Sequence, residues 1–134
     1  AAGQSIVPTT TGAAKALTRI FPELSDVIGG CGIRVPVANG SLTDVTLNVE
    51  KTVSIDMVNN AFKKASEGYL KNVLAYTEDP IVSIDIVGNP YSCVFDSQMT
   101  SVIGNMVKII GWYDNETAYS QRIIDLIRFL SIKT

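Results

Sequence analysis

Val45-Thr46-Leu47-Asn48-Val49-Glu50-Lys51-Thr52-Val53-Ser54-Ile55-Asp56-Met57-Val58-Asn59-Asn60-Ala61-Phe62-Lys63-Lys64-Ala65-Ser66-Glu67-Gly68 changes its hydrophobic period part-way along. Val45, Leu47 and Val49 alternate with polar residues, the two-residue period of a strand with one buried face. After Ser54 the period lengthens. Val58, Ala61, Phe62 and Ala65 recur at helical spacing as a buried stripe, and Lys63, Lys64 and Glu67 are left for water. Ser54 offers its hydroxyl to the first-turn amides, and Val53 and Val58 stand at the two positions of a hydrophobic staple. Gly68 is placed to stop the helix in a left-handed conformation. A strand followed by an amphipathic helix predicts a sheet with a helix layered on it.

On the N-terminal side, Ile33, Val35 and Val37 alternate within residues 29–39, with Arg34 on the opposite face. The turn-like Asn39-Gly40-Ser41 predicts that this strand and the one at Val45 are direct neighbours. Earlier still, Thr9-Thr10-Thr11-Gly12 leads into the helix-favouring Ala13-Ala14-Lys15-Ala16-Leu17, which should weaken before Pro22. On the C-terminal side, strands are expected near residues 73–76, 81–86, 92–96 and 106–113, with turn signals at Gly88-Asn89-Pro90 and Gly104-Asn105. A final helix starts near Asp114-Asn115. Its apolar stripe is Ile123, Leu126, Ile127 and Leu130, and Arg122, Asp125 and Arg128 are assigned to solvent. The sum is an α+β architecture: a mostly antiparallel or mixed sheet with helices packed on one face.

The chain has 134 residues, with no repeat, low-complexity tract or linker, so residues 1–134 are expected to form one domain. Hydrophobic residues make up 46% and charged residues 18%, which fits a packed globular chain rather than a disordered one. A net charge of −2 gives no basic signature of a nucleic-acid or anionic-membrane partner. The mean hydropathy of +0.23 admits either a well-filled core or an apolar surface that meets another domain or subunit. The apolar runs are too short to cross a bilayer, and Ala1-Ala2-Gly3-Gln4 does not read as a signal peptide. Cys31 and Cys93 fit no metal-ligand spacing; both sit in strand-like apolar runs and are expected to be buried thiols in a reducing compartment. There is no histidine, which removes the commonest general base near neutral pH and the usual catalytic metal ligand.

Three clusters have chemistry within reach. Thr9-Thr10-Thr11-Gly12 at a helix start combines unpaired amides, the positive end of the helix dipole and hydroxyl donors, which suits a phosphate; an ordinary N-cap explains the same residues. Arg34, flanked by Ile33 and Val35, either pairs with a carboxylate or phosphate or snorkels at the surface. Trp112-Tyr113-Asp114-Asn115-Glu116-Thr117-Ala118-Tyr119-Ser120 lies where a strand turns into a helix, either at a cleft or as plain capping by Asp114 or Asn115.

Taken in order, these stretches resemble the C-terminal part of the catalytic domain of phosphorylating glyceraldehyde-3-phosphate dehydrogenases. Ser5-Ile6-Val7-Pro8-Thr9-Thr10-Thr11-Gly12-Ala13-Ala14-Lys15-Ala16 is similar to the family's phosphate-site helix start. Arg34-Val35-Pro36-Val37-Ala38-Asn39 is similar to its substrate-arginine strand. Glu67-Gly68 through Tyr76-Thr77-Glu78 resembles a further family segment, and Trp112-Tyr113-Asp114-Asn115-Glu116 with Tyr119-Ser120 resembles its cofactor-side motif. The resemblance implies a two-domain enzyme that oxidises glyceraldehyde 3-phosphate to an acyl phosphate with NAD or NADP and inorganic phosphate. Covalent catalysis by a cysteine and proton transfer by a histidine are combined there with two anion sites. It implies that Thr11 and Gly12 line the inorganic-phosphate site and that Arg34 clamps the substrate's phosphate. It further implies that Asn115 bonds the nicotinamide carboxamide and Tyr119 packs beside that ring. A cytoplasmic homotetramer without a metal is the family's form.

The departures from the family are equally concrete. The glycine-rich nucleotide fingerprint, the Ser-Cys-Thr-Thr-Asn nucleophile motif and the catalytic histidine are missing from residues 1–134, so no catalytic residue is assigned here. The chain is therefore expected to be a fragment lacking its N-terminal NAD-binding domain, from an engineered domain or proteolysis, and to be inactive alone. Gly40 stands where the family usually has valine, which is expected to loosen the strand, and Ala118 where it usually has glycine. Two alternatives are an enzyme resembling erythrose-4-phosphate dehydrogenase and a non-catalytic, oligomerising interaction module. The Thr-Gly-Ala-Ala-Lys motif speaks against the first, and the missing histidine fits the second for the isolated chain.

Overall fold

The computed structural model describes residues 3–132; Ala1 and Ala2 of the chain start considered above, with Lys133 and Thr134, lie outside the described residues. The described chain forms two units, within residues 3–38 and 39–132.

The first unit holds β1 (Val7–Thr9), α1 (Ala13–Ile20), a 3-10 turn (Pro22–Leu24) and β2 (Gly32–Arg34). β1 and β2 are antiparallel, with Val7 opposite Arg34 and Thr9 opposite Gly32. The strand expected across residues 29–39 is thus three residues long. Gly29 and Gly30 pack no side chain before it, and Pro36 offers no amide beyond it. Helix α1 stops where expected: Phe21 N–H bonds Leu17 C=O, and Pro22 opens the 3-10 turn. Cys31 is exposed rather than buried, because the strand it precedes is a short two-stranded ribbon with little to cover it.

The second unit is a mixed four-stranded sheet in the order β3-β6-β5-β4. Its elements are β3 (Ser41–Asn48), α2 (Ile55–Glu67), β4 (Leu74–Thr77), a 3-10 turn (Ser83–Ile86), β5 (Cys93–Ile103), β6 (Met106–Tyr113) and α3 (Thr117–Ser131). β3 and β5 flank β6 antiparallel, and β4 runs parallel to β5. The expected pairing of the Ile33 and Val45 strands is replaced: β2 pairs with β1, and β3 with β6. Residues 81–86 alternate like a strand yet turn, because the Asp85 carboxylate accepts Val82 N–H at 2.7 Å and closes the backbone on itself.

Helix α2 begins as expected, with Ser54 Oγ accepting Met57 N–H at 3.2 Å. Gly68 ends it at φ −106°, outside the left-handed region. Glycine is needed there because a Cβ would lie 2.9 Å from the Lys64 carbonyl oxygen. The core sits under α2: Phe62 stacks on Phe95 at 4.0 Å between centroids, above Ala65 and Leu74, while Ala61 of the expected stripe is exposed. In α3 the stripe Ile123, Leu126, Ile127 and Leu130 is 45–62% exposed. Arg122, expected in solvent, is half-buried: it donates to Asn72 C=O at 3.0 Å and pairs with Asp125 at 2.7 Å. No described helix is long and apolar enough to cross a membrane.

Candidate functional site

The expected residues fall in two places, one in each unit. In the first unit the antiparallel register sets Thr9 against Gly32, and the chain then turns through Thr10 and Thr11 into α1. An open cavity of about 590 Å³ results, lined among others by Thr9, Thr10, Thr11, Gly12, Lys15 and Cys31. Gly12 is the N-cap and has no capping side chain; Ala13 N–H instead bonds Thr11 Oγ1 at 3.2 Å. A Cβ on Gly12 would meet no atom within 4 Å, so that flank of the helix start is open. The first-turn amides of a helix lack intrahelical acceptors and carry its positive dipole end. Beside them lie threonine hydroxyls and the Lys15 ammonium, so the donor set fits a dianion. Lys15 was not among the expected site residues; its signal was its place one turn after Gly12. Arg34 ends β2, opposite Val7, two residues along the ribbon from Gly32. It is exposed, does not line the cavity, and makes no ion pair among the described residues.

In the second unit, β6 ends at Tyr113 and α3 starts at Thr117, and Asp114 lies between them at 1% exposure. Its Oδ2 accepts Gly88 N–H at 2.8 Å, Asn39 Nδ2 at 3.0 Å and the Thr117 hydroxyl at 3.1 Å. Its Oδ1 accepts the amides of Glu116 at 2.9 Å and Thr117 at 3.0 Å. These donors hold the carboxyl well below the usual carboxylate range. Asp114 therefore does cap α3, but it also ties the helix start to the head of β3 and to the Gly88 turn. Asn115 follows it, exposed, and its Oδ1 accepts the Ser41 hydroxyl at 3.1 Å. Asn115 Nδ2 has no partner among the described residues. Tyr119 is 70% exposed in the first turn of α3. A primary-amide group and an exposed aromatic ring are side chains whose chemistry can hold a carboxamide on a flat heterocycle. The described residues hold no cluster of three or more His, Cys, Asp and Glu that could bind a metal.

Gly40, expected to loosen its strand, instead permits this geometry. Its φ is +95°, and a Cβ would lie 2.7 Å from the Ser83 carbonyl oxygen. A valine does not fit that backbone. Ala118 is buried in the first turn of α3. The Glu67-Gly68 to Tyr76-Thr77-Glu78 segment forms a packed corner: Lys63 Nζ lies 3.3 Å from Glu78 and 5.3 Å above the Tyr76 ring.

Residues 1–115 match the family described as glyceraldehyde 3-phosphate dehydrogenase, C-terminal domain. The chain belongs to that family. It is 56% identical over 131 residues to glyceraldehyde-3-phosphate dehydrogenase 2 of Streptomyces avermitilis, covering 97% of this chain and 39% of that protein. It is 53% identical over 132 residues to the glyceraldehyde-3-phosphate dehydrogenase of Streptomyces coelicolor, with the same coverage of each chain. It is 49% identical over 127 residues to that of Mycobacterium tuberculosis, covering 95% of this chain and 38% of that one. The chain thus spans about two-fifths of the curated relatives it matches, in their C-terminal portion. Thr11, Gly12, Arg34 and Asn115 lie within the residues matched to the glyceraldehyde-3-phosphate dehydrogenase C-terminal domain, and Tyr119 lies beyond them. Burial pushes the Cys93 thiol up, away from the thiolate that a nucleophile needs.

Proposed function

We propose that residues 1–134 are the C-terminal part of the catalytic domain of a phosphorylating glyceraldehyde-3-phosphate dehydrogenase, with the nucleotide-binding half, the nucleophilic cysteine and the catalytic histidine supplied outside them. The observation that carries this reading is the anion-suited cavity at the start of α1, built by Thr9, Thr10, Thr11, Gly12 and Lys15 in a chain of this family. Thr11 and Gly12 hold inorganic phosphate, Arg34 holds the phosphate of glyceraldehyde 3-phosphate, and Asn115 and Tyr119 orient the nicotinamide. When bound, NAD or NADP supplies the hydride acceptor. The whole enzyme is read as a glycolytic, cytoplasmic homotetramer. The apolar stripe of α3 supports a surface that meets further protein.

The test has two arms. The 134-residue chain alone, given aldehyde, NAD and phosphate, should form no more NADH than buffer does; turnover would overturn the assignment of the missing groups. In the complete enzyme, Arg34→Leu should lower kcat/KM for glyceraldehyde 3-phosphate by roughly ten- to a hundredfold, since a charge-assisted bond is worth ~1.5–3 kcal/mol. Plain glyceraldehyde should be little affected. Equal losses on both aldehydes would mean that Arg34 braces the ribbon and does not bind phosphate.

A further inference from the structure

We propose that Ser41 is a positioning residue for Asn115, holding its side-chain amide in one place for binding. This rests on the assignment of Asn115 to the nicotinamide carboxamide and adds the residue that holds it there.

The contact joins residues 74 apart in sequence. Ser41 opens β3 directly opposite Tyr113, two residues before Asn115. Both sides of the contact are pinned. On one side, the five hydrogen bonds to Asp114 fix the backbone that leads into Asn115. On the other, Asn39 bridges the two segments. Its Nδ2 donates to Asp114, and its Oδ1 accepts Gly40 N–H at 2.8 Å. Gly40 in turn lies so close to the Ser83 carbonyl that a Cβ is excluded. Ser41 Oγ therefore arrives at a set place.

What remains free is rotation of the Asn115 side chain. The Ser41 hydroxyl donates to Asn115 Oδ1 at 3.1 Å, and that bond ties the side chain to the head of β3. Without the hydroxyl, the exposed side chain samples other rotamers, and binding must select among them. Holding the amide in one place removes that cost before the ligand arrives.

The experiment measures NAD dissociation constants of the complete enzyme by fluorescence titration, with a melting curve for every variant. Ser41→Ala should weaken NAD by about three- to tenfold, the scale of one ordinary hydrogen bond. Ser41→Thr keeps the hydroxyl and should restore binding to within about twofold of wild type. Asn115→Ala, which removes the amide altogether, should weaken NAD more than Ser41→Ala does. If Ser41→Ala does not fold, Ser41→Cys, similar in size and a poorer donor, takes its place. Unchanged NAD binding in a folded Ser41→Ala or Ser41→Cys variant overturns the positioning role. So does equal weakening in Ser41→Thr. Unchanged binding in Asn115→Ala would instead overturn the underlying assignment of Asn115 to the cofactor, so the two failures are distinguishable.

Discussion

Replacing Asp114 by asparagine keeps the side chain's size and removes its charge, and so isolates what the carboxylate holds. The five donors divide between its oxygens, three on Oδ2 and two on Oδ1. Asparagine has one oxygen and one NH2 group, so in either orientation one of these places turns a donor toward donors. The less costly orientation keeps the three and loses the amides of Glu116 and Thr117, which are the capping bonds of α3. Hydrogen bonds to a charged group contribute ~1.5–3 kcal/mol each, and two are lost, so the variant should lose at least about 3 kcal/mol. For a chain of this size that is a fall in Tm of roughly 10 °C. Circular dichroism melts of the two proteins at neutral pH measure it.

The same measurement has a pH signature with a definite sign. The folded pKa of Asp114 is depressed below its ordinary 3.8. A depressed carboxylate adds stability that is complete above the unfolded-state pKa and is lost as pH falls through the folded one. The Tm difference between wild type and Asp114→Asn should therefore be flat from pH 7 to about pH 5 and shrink at lower pH. A difference under about 3 °C at neutral pH would refute the argument that these donors depend on the charge. A difference that widens on acidification would refute the depressed pKa.

Two further outcomes test the core and the thiols. Phe95→Ala should cost ~3–5 kcal/mol, because Phe95 is 1% exposed and stacks on Phe62; a loss under about 1 kcal/mol in urea titration would show that the site collapses around the gap. With an excess of a disulfide reagent near pH 8, the exposed Cys31 should react first and the partly buried Cys93 more slowly, since burial raises its pKa; equal rates for the two thiols would contradict the Cys93 environment.

The elements that could be read from the sequence are those whose burial follows one face. β6 spans Met106–Tyr113, as its apolar run indicates, and Ser54 caps α2 as its hydroxyl suggests. β5 was legible only as far as Asp96. Between Asp96 and Ser101 the pairing shifts register, and the residues buried there include Asp96, Ser97 and Thr100. Polar residues inside a bulge break the alternation that marks a strand. Each is instead satisfied by a distant partner: Trp112 Nε1 donates to Asp96, the Ser97 hydroxyl to Thr77 C=O, and the Thr100 hydroxyl to Asn59. The candidate site divides in the same way. Thr11, Gly12 and Lys15 are close in sequence and were legible as a helix start. Ser41, whose only mark is its contact with Asn115 across the sheet end, was not. Local chemistry shows in a sequence, whereas a hydrogen bond between distant segments appears only once the register is known.

Helix α3 shows what periodicity can and cannot say. Ile123, Leu126, Ile127 and Leu130 recur at helical spacing, which implies a buried face, yet they are 45–62% exposed. The helix is held to its unit at its first two turns instead. Asp114 caps it, Ala118 is buried, and Arg122 reaches back to the carbonyl of Asn72, whose φ is +66°. The pattern therefore identifies a surface made to be covered but carries no information on the surface that covers it. Had the stripe been built for this sheet, its residues would sit against the core as Phe62 does against Phe95. A helix anchored by polar contacts at its start, with its apolar stripe exposed, presents a surface of the kind that meets other protein.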